Sequence, residues 1–297
     1  MRPRGTPATC SASLRSMPRS VAIVTDSTAY LPRSTVAQRE VRVVPLTVVL
    51  GDEALEDGTE HAARRLAQAL GQKQAVTTSR PSPAEFAEVY RSAAEDGAVG
   101  IVSLHLSSEI SGTYDAALLA AREAPVPVRV VDSGMIAMAL GFSVLAASDA
   151  VDAGGSLDDA VAAAVKRAGA TRAVFYVDTL EHLRRGGRIG TAQALLGSAF
   201  AVKPLLELAD GRIEPLEKVR TASRAIARLE ELAVEHAGAG PVDVAVHHLA
   251  AEERASQLAE RLRGRLHGLV DLHVSEVGAV LGAHTGPGLL GAVVAPR

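Results

Sequence analysis

The stretch Val99-Gly100-Ile101-Val102-Ser103-Leu104 is the clearest signal for a buried strand in this chain, and it leads into the polar turn Ser107-Ser108-Glu109-Ile110-Ser111-Gly112-Thr113-Tyr114. The alanine-rich residues 116–122 after the turn predict a helix. Hydroxyl groups, a glycine and free backbone N–H groups at a strand-to-helix turn can bind an anion. Serine is also a favoured N-cap residue, so Ser111 could simply cap the helix. The turn by itself leaves both interpretations open.

Strands and helices alternate from Val21 onward, which is the pattern of a parallel α/β sheet. Two of the predicted strands, residues 21–24 and 128–131, end in the polar loops Thr25-Asp26-Ser27-Thr28 and Asp132-Ser133-Gly134. An open parallel sheet binds its ligands at the carboxyl ends of its strands. Both loops therefore lie where such a sheet places its ligand residues.

A helix start can be recognised at the end of the stretch Thr77-Thr78-Ser79-Arg80-Pro81-Ser82-Pro83. Ser82 has the position of an N-cap, and Glu85 has that of its capping-box partner. This assignment leaves Thr78 and Ser79 outside the helix, in an extended segment, with their hydroxyl groups unassigned.

The two halves of the chain predict different sheets. Asp210-Gly211, between the segments 205–208 and 213–219, is a strong hairpin signal and predicts a mixed sheet in the second half. The pair Gly154-Gly155 is the best candidate for a domain boundary. The predicted fold class is α/β with two domains: a three-layer α/β/α domain with a mostly parallel sheet over residues 20–153, and an α/β domain with a mixed sheet over residues 154–297.

Two segments depart from the regular alternation. Pro45 interrupts the apolar run 41–50, so this run is either an edge strand or two short strands. Residues 1–19 hold four arginines and no acidic residue, and they lack the apolar stretch of a signal peptide. We predict that they form a disordered basic tail.

The composition excludes several classes of function. The chain has 297 residues and a net charge of −3, and this weakly negative charge does not indicate a protein that binds nucleic acid. The single cysteine, Cys10, excludes an intramolecular disulfide framework and a cysteine-based zinc site. No apolar run approaches the ~20 residues of a membrane-spanning helix. We therefore expect a cytoplasmic protein without a metal, a nucleic-acid partner or stable membrane insertion.

Two further motifs carry chemically useful side chains. Arg185-Gly186-Gly187-Arg188 forms a compact basic loop, which suits either a solvated turn or contact with an anionic ligand or partner. Gly282-Ala283-His284-Thr285-Gly286-Pro287-Gly288 places an imidazole in a glycine-rich segment. Because a glycine-rich loop offers little apolar surface to pack on, His284 is a better candidate for function than for packing.

Taken together and in this order, the motifs around Asp26, Thr78, Ser111, Arg185 and His284 resemble the DegV family. The resemblance covers residues 20–297, and several motifs in order are far more specific than any one of them. It implies a protein of two α/β domains that binds a long-chain fatty acid in a buried apolar tunnel. It further implies an acyl carrier that has no enzymatic activity or cofactor of its own and that serves bacterial phospholipid synthesis. A separate ATP-binding fatty acid kinase subunit would phosphorylate the carried fatty acid to an acyl phosphate.

The resemblance also implies roles for individual residues. Thr78 and Ser111 would hold the carboxylate, and the 282–288 loop would return to the ligand site. His284 would lie near the head group, as a candidate for assisting phosphoryl transfer. Arg80 stands where many relatives carry a glutamine. The other expected ligand-binding residues are Ser79, Gly112 and Thr113. The residues expected to meet the kinase are Arg185 and Arg188.

The residues leave other functions open. A serine hydrolase could use Ser111, His284 and either Asp26 or Asp132, although the chain lacks a Gly-x-Ser-x-Gly elbow. A nucleotide-binding kinase is disfavoured, since no Walker loop is present. A protein like the substrate subunit of dihydroxyacetone kinase would form a covalent carbonyl adduct on His284. A lipid-binding module without any kinase partner also fits.

Overall fold

A computed structural model describes residues 20–195 and 203–297, so the predicted tail at residues 1–19 lies outside the described residues. The described residues contain these β-strands: β1 (Val21–Asp26), β2 (Arg42–Val44), β3 (Thr47–Leu50), β4 (Glu53–Glu56), β5 (Thr77–Ser79), β6 (Gly100–His105), β7 (Val128–Asp132), β8 (Arg172–Tyr176), β9 (Lys203–Ala209), β10 (Arg212–Val219), β11 (Val242–His248), β12 (Leu269–Glu276) and β13 (Leu290–Pro296).

They also contain these α-helices: α1 (Arg33–Gln38), α2 (Glu60–Gly71), α3 (Pro83–Glu95), α4 (Thr113–Ala121), α5 (Met138–Asp152), α6 (Leu157–Ala170), α7 (Glu181–Arg185), α8 (Ala222–Ala237), α9 (Glu252–Arg265) and α10 (Ala279–Thr285). Short 3-10 helices span Ser27–Ala29 and Gly190–Leu195.

Three sheets form the framework. The first has four strands in the order β2-β1-β6-β7, all parallel. The second has six strands in the order β10-β9-β8-β13-β11-β12; its β11–β12 pair is parallel and its other pairs are antiparallel. The third is antiparallel, in the order β4-β3-β5. The predicted α/β fold class, with a parallel first sheet and a mixed second sheet, is confirmed.

The first sheet is covered on both faces because successive side chains of a strand point to opposite sides. Val21 and Ile23 pack in a cluster with residues of α5 and α6. Val24 and Ile101 pack in a different cluster, with residues of α3 and α4. This is the predicted three-layer α/β/α arrangement.

Helix α5 lies between the two larger sheets. Its Leu140 and Val144 belong to the core of the first sheet, whereas Met138 and Phe142 belong to the cluster on the inner face of the second. A helix that is apolar on every side needs such a position. The outer face of the second sheet is covered by α8 and α9.

The packing of helix α6 concerns the predicted domain boundary between residues 153 and 154. This helix follows the glycine pair Gly154-Gly155, but its buried Ala160 and Ala164 lie in the apolar cluster of β1 and α5. The helix therefore packs on the first sheet. The boundary between residues 153 and 154 stays a prediction.

Several local predictions are confirmed. The run 41–50 divides at Pro45 into β2 and β3, which belong to different sheets. Ser82 caps α3 and forms a capping box with Glu85. The turn Asp210-Gly211 joins antiparallel β9 and β10, and both of its residues have positive φ, as a tight hairpin turn requires.

The expectation that residues 282–288 form a loop is wrong. Residues up to Thr285 continue α10, which ends where Gly286 adopts a φ of 72°. A Cβ atom on Gly282 would lie 2.7 Å from the side chain of Leu66 in α2. This glycine therefore permits close packing of two helices, a function that its sequence context does not reveal.

Candidate functional site

A cavity of about 330 Å³ lies between the second sheet, α10 and the turn that follows β6. Its wall is mainly apolar and is contributed by strands of the second sheet and by α10. Prominent apolar residues of this wall are Phe175, Leu208, Ile213, Val280, Leu281 and Val293. The cavity falls within the size range of small-molecule sites, and its wall suits an apolar ligand.

A polar cluster, which we define as Thr78, Arg80, Ser111, Arg188 and His284, also lines the cavity. These side chains come from segments that are far apart in the chain: β5 and the residue after it, the turn before α4, the loop after α7, and the last turn of α10. Direct contacts connect the segments to one another.

Thr78 and His284 form the first of these contacts. Thr78 Oγ1 and His284 Nε2 lie 2.8 Å apart. Thr78 is held in the third sheet by pairing of β5 with β3, and α10 packs on α2 and carries His284 to the cavity. A helix rather than a glycine loop therefore positions the imidazole.

Ser111 lines the cavity and also accepts a hydrogen bond from the N-terminus of α4. Its Oγ lies 2.9 Å from Thr113 Oγ1 and accepts a hydrogen bond from the Thr113 N–H at 3.3 Å. The N-cap of α4 is Gly112, so the interpretation of Ser111 as the N-cap is wrong; its hydroxyl instead accepts from the first N–H of the helix and lines the cavity. Thr113 itself is buried and supports Ser111, but it is not one of the described residues that line the cavity.

Ser79 and Gly112 line the cavity as well. The exposed Ser79 hydroxyl donates to the Arg80 carbonyl oxygen at 3.2 Å. The Arg80 guanidinium lies so close to Gly112 that a Cβ atom at this position would overlap it. Glycine at position 112 therefore makes room for the guanidinium at the cavity wall.

The loop after α7 covers His284. Arg188 Nε donates to the Ile110 carbonyl at 3.0 Å and its Nη1 donates to the Gly186 carbonyl at 2.6 Å. A Cβ atom on Gly186 would overlap the His284 ring at Nδ1. Arg185 points elsewhere: it is exposed, and its Nε donates to Glu181 at 2.8 Å.

Burial keeps His284 neutral at ordinary pH. Burial, assisted by the nearby positive charge of Arg188, lowers the pKa of His284 to about 4. Its buried Nδ1 has no hydrogen-bond partner within residues 20–195 and 203–297. Because buried N–H groups without partners are rarer than buried acceptors without partners, we infer that the proton is on Nε2 and is donated to Thr78 Oγ1. The hydroxyl hydrogen of Thr78 is then available to another acceptor.

His247 also lines the cavity, in the pair His247-His248 at the end of β11. Its Nε2 accepts the Met138 N–H at 3.2 Å, and its Nδ1 lies 3.0 Å from Ser275 Oγ. Burial lowers the pKa of His247 to about 4. Both ring nitrogens have protein partners, so this imidazole presents mainly an apolar ring to the cavity.

The arrangement that a serine hydrolase would need is not assembled in the described part of the chain. Neither Asp26 nor Asp132 forms a hydrogen bond with His284 there. Asp26 Oδ2 instead lies 3.1 Å from His105 Nδ1, and His105 Nε2 lies 2.7 Å from Ser103 Oγ. This second set is fully buried between β1 and β6, so no substrate can reach its serine.

A covalent carbonyl adduct on His284 would need a ring nitrogen that faces the cavity. Nε2 is engaged by Thr78, and the backbone at Gly186 covers Nδ1. The geometry favours a neutral, hydrogen-bonding histidine.

A family model described as "Uncharacterised protein, DegV family" matches residues 20–297. The chain belongs to the DegV family. The DegV domain-containing protein of Streptomyces coelicolor is 71% identical over 281 residues, which cover 95% of this chain and 100% of that protein.

Two solved DegV structures resemble this one closely. The structure described as "Fatty Acid Binding of a DegV family Protein from Thermus thermophilus" has a TM-score of 0.88 and 35% identity, and covers 94% of this chain and 100% of that chain. DegV of Bacillus subtilis, described as a fatty acid binding protein, has a TM-score of 0.86 and 34% identity, with coverage of 94% and 100%. The DegV resemblance of the sequence is therefore confirmed.

Two kinds of feature are absent from the described ranges of this DegV protein. Each helix there is too short or too polar to cross a membrane. No three or more histidine, cysteine, aspartate or glutamate side chains are grouped there so that they could hold a metal ion.

We expect the stability of the ligand-free protein to fall as the pH is lowered from 6.5 toward 4. The pKa values of His284 and His247 are about 4 in the folded state and 6.5 in an unperturbed side chain. The unfolded chain therefore binds more protons in this window, and protonation favours unfolding. His284→Gln should reduce the pH dependence of the free energy of unfolding by up to about 3 kcal/mol across the window.

Urea unfolding at a series of pH values measures this effect. The exposed His267 provides a matched control, and His267→Gln should keep the wild-type pH dependence. A His284→Gln protein with the wild-type pH profile would contradict the assignment of a neutral, buried His284.

Proposed function

We propose that this DegV family protein binds a long-chain fatty acid in the 330 Å³ cavity, with the carboxylate at the polar cluster and the acyl chain along the apolar wall. The observation that carries this proposal is the convergence of Thr78, Ser111 and His284 on one mainly apolar cavity. The solved DegV structures described as fatty acid binding support the class of ligand.

The carboxylate is held by hydrogen bonds from Thr78 and Ser111. Hydrogen bonds to an ionised group are roughly twice as strong as those between neutral groups. Thr78 offers the hydroxyl hydrogen that the Nε2–H tautomer of His284 leaves free. Ser111 stands at the N-terminus of α4, where backbone N–H groups favour negative charge. The remaining proposed ligand-binding residues are Ser79, Gly112 and Thr113, the last by supporting the Ser111 hydroxyl.

The acyl chain supplies most of the affinity. At ~0.8 kcal/mol per buried methylene, about fourteen methylenes give ~11 kcal/mol before any losses. The loss of translational and conformational freedom on binding offsets a large part of this gain. The apolar wall therefore sets the strength of binding, and the polar cluster selects an acid over an alcohol or an ester.

The protein acts as a carrier rather than an enzyme. It presents the carboxylate to a separate ATP-dependent fatty acid kinase subunit, which forms the acyl phosphate, and it needs no cofactor of its own. A carboxylate held by hydroxyl groups stays available for transfer, whereas a tight salt bridge would compete with phosphorylation. His284 assists that transfer through Thr78, whose hydroxyl it orients.

The end of α7 and the loop after it are the proposed contact with the kinase. Arg185, the last residue of α7, is exposed, and Arg188 reaches from the loop to the Ile110 carbonyl beside Ser111. A partner that binds Arg185 would thus lie close to the carboxylate. Both arginines belong to the proposed kinase contact, Arg185 directly and Arg188 by fixing the loop.

Thr78→Val and Ser111→Ala should each weaken the binding of palmitate by about 5- to 150-fold, because each removes a hydrogen-bond donor from the carboxylate at a cost of about 1–3 kcal/mol. The binding of hexadecanol should change much less. Displacement of a fluorescent fatty acid by either compound measures both affinities.

Ser108→Ala is the matched control, because the Ser108 hydroxyl bonds Asp132 outside the cavity. It should bind palmitate like the wild type. Unchanged palmitate affinity in the Thr78 and Ser111 variants would show that neither hydroxyl binds the carboxylate.

Arg185→Glu should lower ATP-dependent formation of acyl phosphate by at least about tenfold at limiting carrier concentration, because reversal of an exposed charge slows association with a partner. Its palmitate affinity should stay unchanged. The reaction is followed with a purified fatty acid kinase subunit and palmitate.

Arg91→Glu serves as the control, since Arg91 is also exposed and paired with a glutamate, but lies on α3. Equal rates for the Arg185 and Arg91 variants would contradict the proposed contact surface.

A further inference from the structure

A second hollow, of about 770 Å³, lies beside the start of α10; we call it the outer groove. Its walls include the 3-10 turn Ser27–Ala29, Tyr30, residues 57–60 and the end of β12. Exposed Val43 and Val274 give it apolar surface. The proposed function does not use this groove.

The outer groove and the acyl cavity share a wall. Val277 lines both of them. Tyr30 lines the groove and His247 lines the cavity, and their rings meet edge to face with centroids 6.2 Å apart. Tyr30 also packs against the apolar cluster of the second sheet and α5, to which Val277 belongs. A single layer of side chains therefore separates the two spaces.

This wall lies at the end of the cavity away from the head group. One face of α10 lines the cavity through Val280, Leu281 and His284, and Val277 stands just before the helix. Ala279 to His284 span about 7.5 Å along a helix that rises 1.5 Å per residue, and Val277 lies two residues before Ala279, so Val277 and His284 stand at opposite ends of α10. A carboxylate near His284 thus leaves the acyl chain to run toward Val277 and Tyr30.

Tyr30 is an unusual residue for its position. Its φ of 48° is a left-handed conformation that is unfavourable for a bulky side chain. Its hydroxyl is buried beside the backbone of Gly278 and Leu281 at α10. Gly278 makes room for the ring, because a Cβ atom there would lie 2.8 Å from Tyr30 Cε1. Strained residues of this kind cluster at functional sites.

We propose that the Tyr30 side chain closes the tail end of the acyl cavity and so sets the longest acyl chain that the protein accepts. With the ring in place, the chain terminus meets the layer formed by His247, Val277 and Tyr30. Without the ring, the cavity opens into the outer groove, whose apolar surface at Val43 and Val274 accommodates the tail of a longer chain. This inference rests on the proposed function and deepens it.

The test compares the wild type with Tyr30→Gly and Tyr30→Phe in displacement assays with palmitate and with the much longer docosanoate. Tyr30→Gly removes the ring at a backbone conformation that glycine tolerates. Tyr30→Phe keeps the ring and removes only the hydroxyl. The wild type and Tyr30→Phe should prefer palmitate by at least about tenfold, and Tyr30→Gly should lose this preference.

The outcomes separate this inference from the proposed function. A Tyr30→Gly protein that keeps the wild-type preference overturns the inference alone, as does a wild type that binds both acids equally. A wild type that binds neither acid overturns the proposed function. Circular dichroism shows whether each variant folds. If Tyr30→Gly does not fold, Tyr30→Leu replaces it. A Tyr30→Leu protein that prefers palmitate over docosanoate as strongly as the wild type then overturns the inference.

Discussion

The hydrogen bond between Thr78 and His284 is the interaction on which the candidate site depends. It joins residues 206 positions apart and so ties the third sheet to the last helix at the wall of the cavity. Burial keeps the imidazole neutral, and Gly186 allows the loop after α7 to cover the ring. With its proton on Nε2, the histidine leaves the Thr78 hydroxyl free to donate. An acid can then be held without a fixed positive charge from the imidazole.

Much of the fold follows from local sequence signals. The strand before the 107–114 turn, the capping box at Ser82 and the Asp210-Gly211 hairpin are each specified within a few residues, and the structure contains all three. The antiparallel third sheet has no such local signal, because its strands are short and β5 pairs with β3 through contacts distant in sequence, such as that of Val48 with Thr78. The same limit explains the error at residues 282–288, where Gly282 serves a contact with Leu66.

The candidate site was predictable as a set of residues but not as a geometry. Hydroxyls at strand ends and a histidine among glycines indicated which side chains to consider, and the ordered motifs indicated the family. Nothing local shows that Thr78 meets His284, or that Arg188 turns inward while Arg185 stays exposed. Those facts depend on how α10 and the α7 loop pack against the first half of the chain.

Unfavourable local features occur at the cavity. Ala137, which lines it, has a positive φ of 57°, and the His284 Nδ1 is buried without a hydrogen-bond partner in the described ranges. Such features reduce stability and persist where the surrounding structure imposes them, which is typical of functional sites.

Native mass spectrometry of the purified protein, followed by denaturing extraction, asks most simply whether the cavity carries a fatty acid. We expect a noncovalent mass that matches a long-chain fatty acid, disappears on denaturation and is recovered in the extract. An empty protein that also takes up no added palmitate would contradict the fatty acid carrier, as would a covalent adduct on His284.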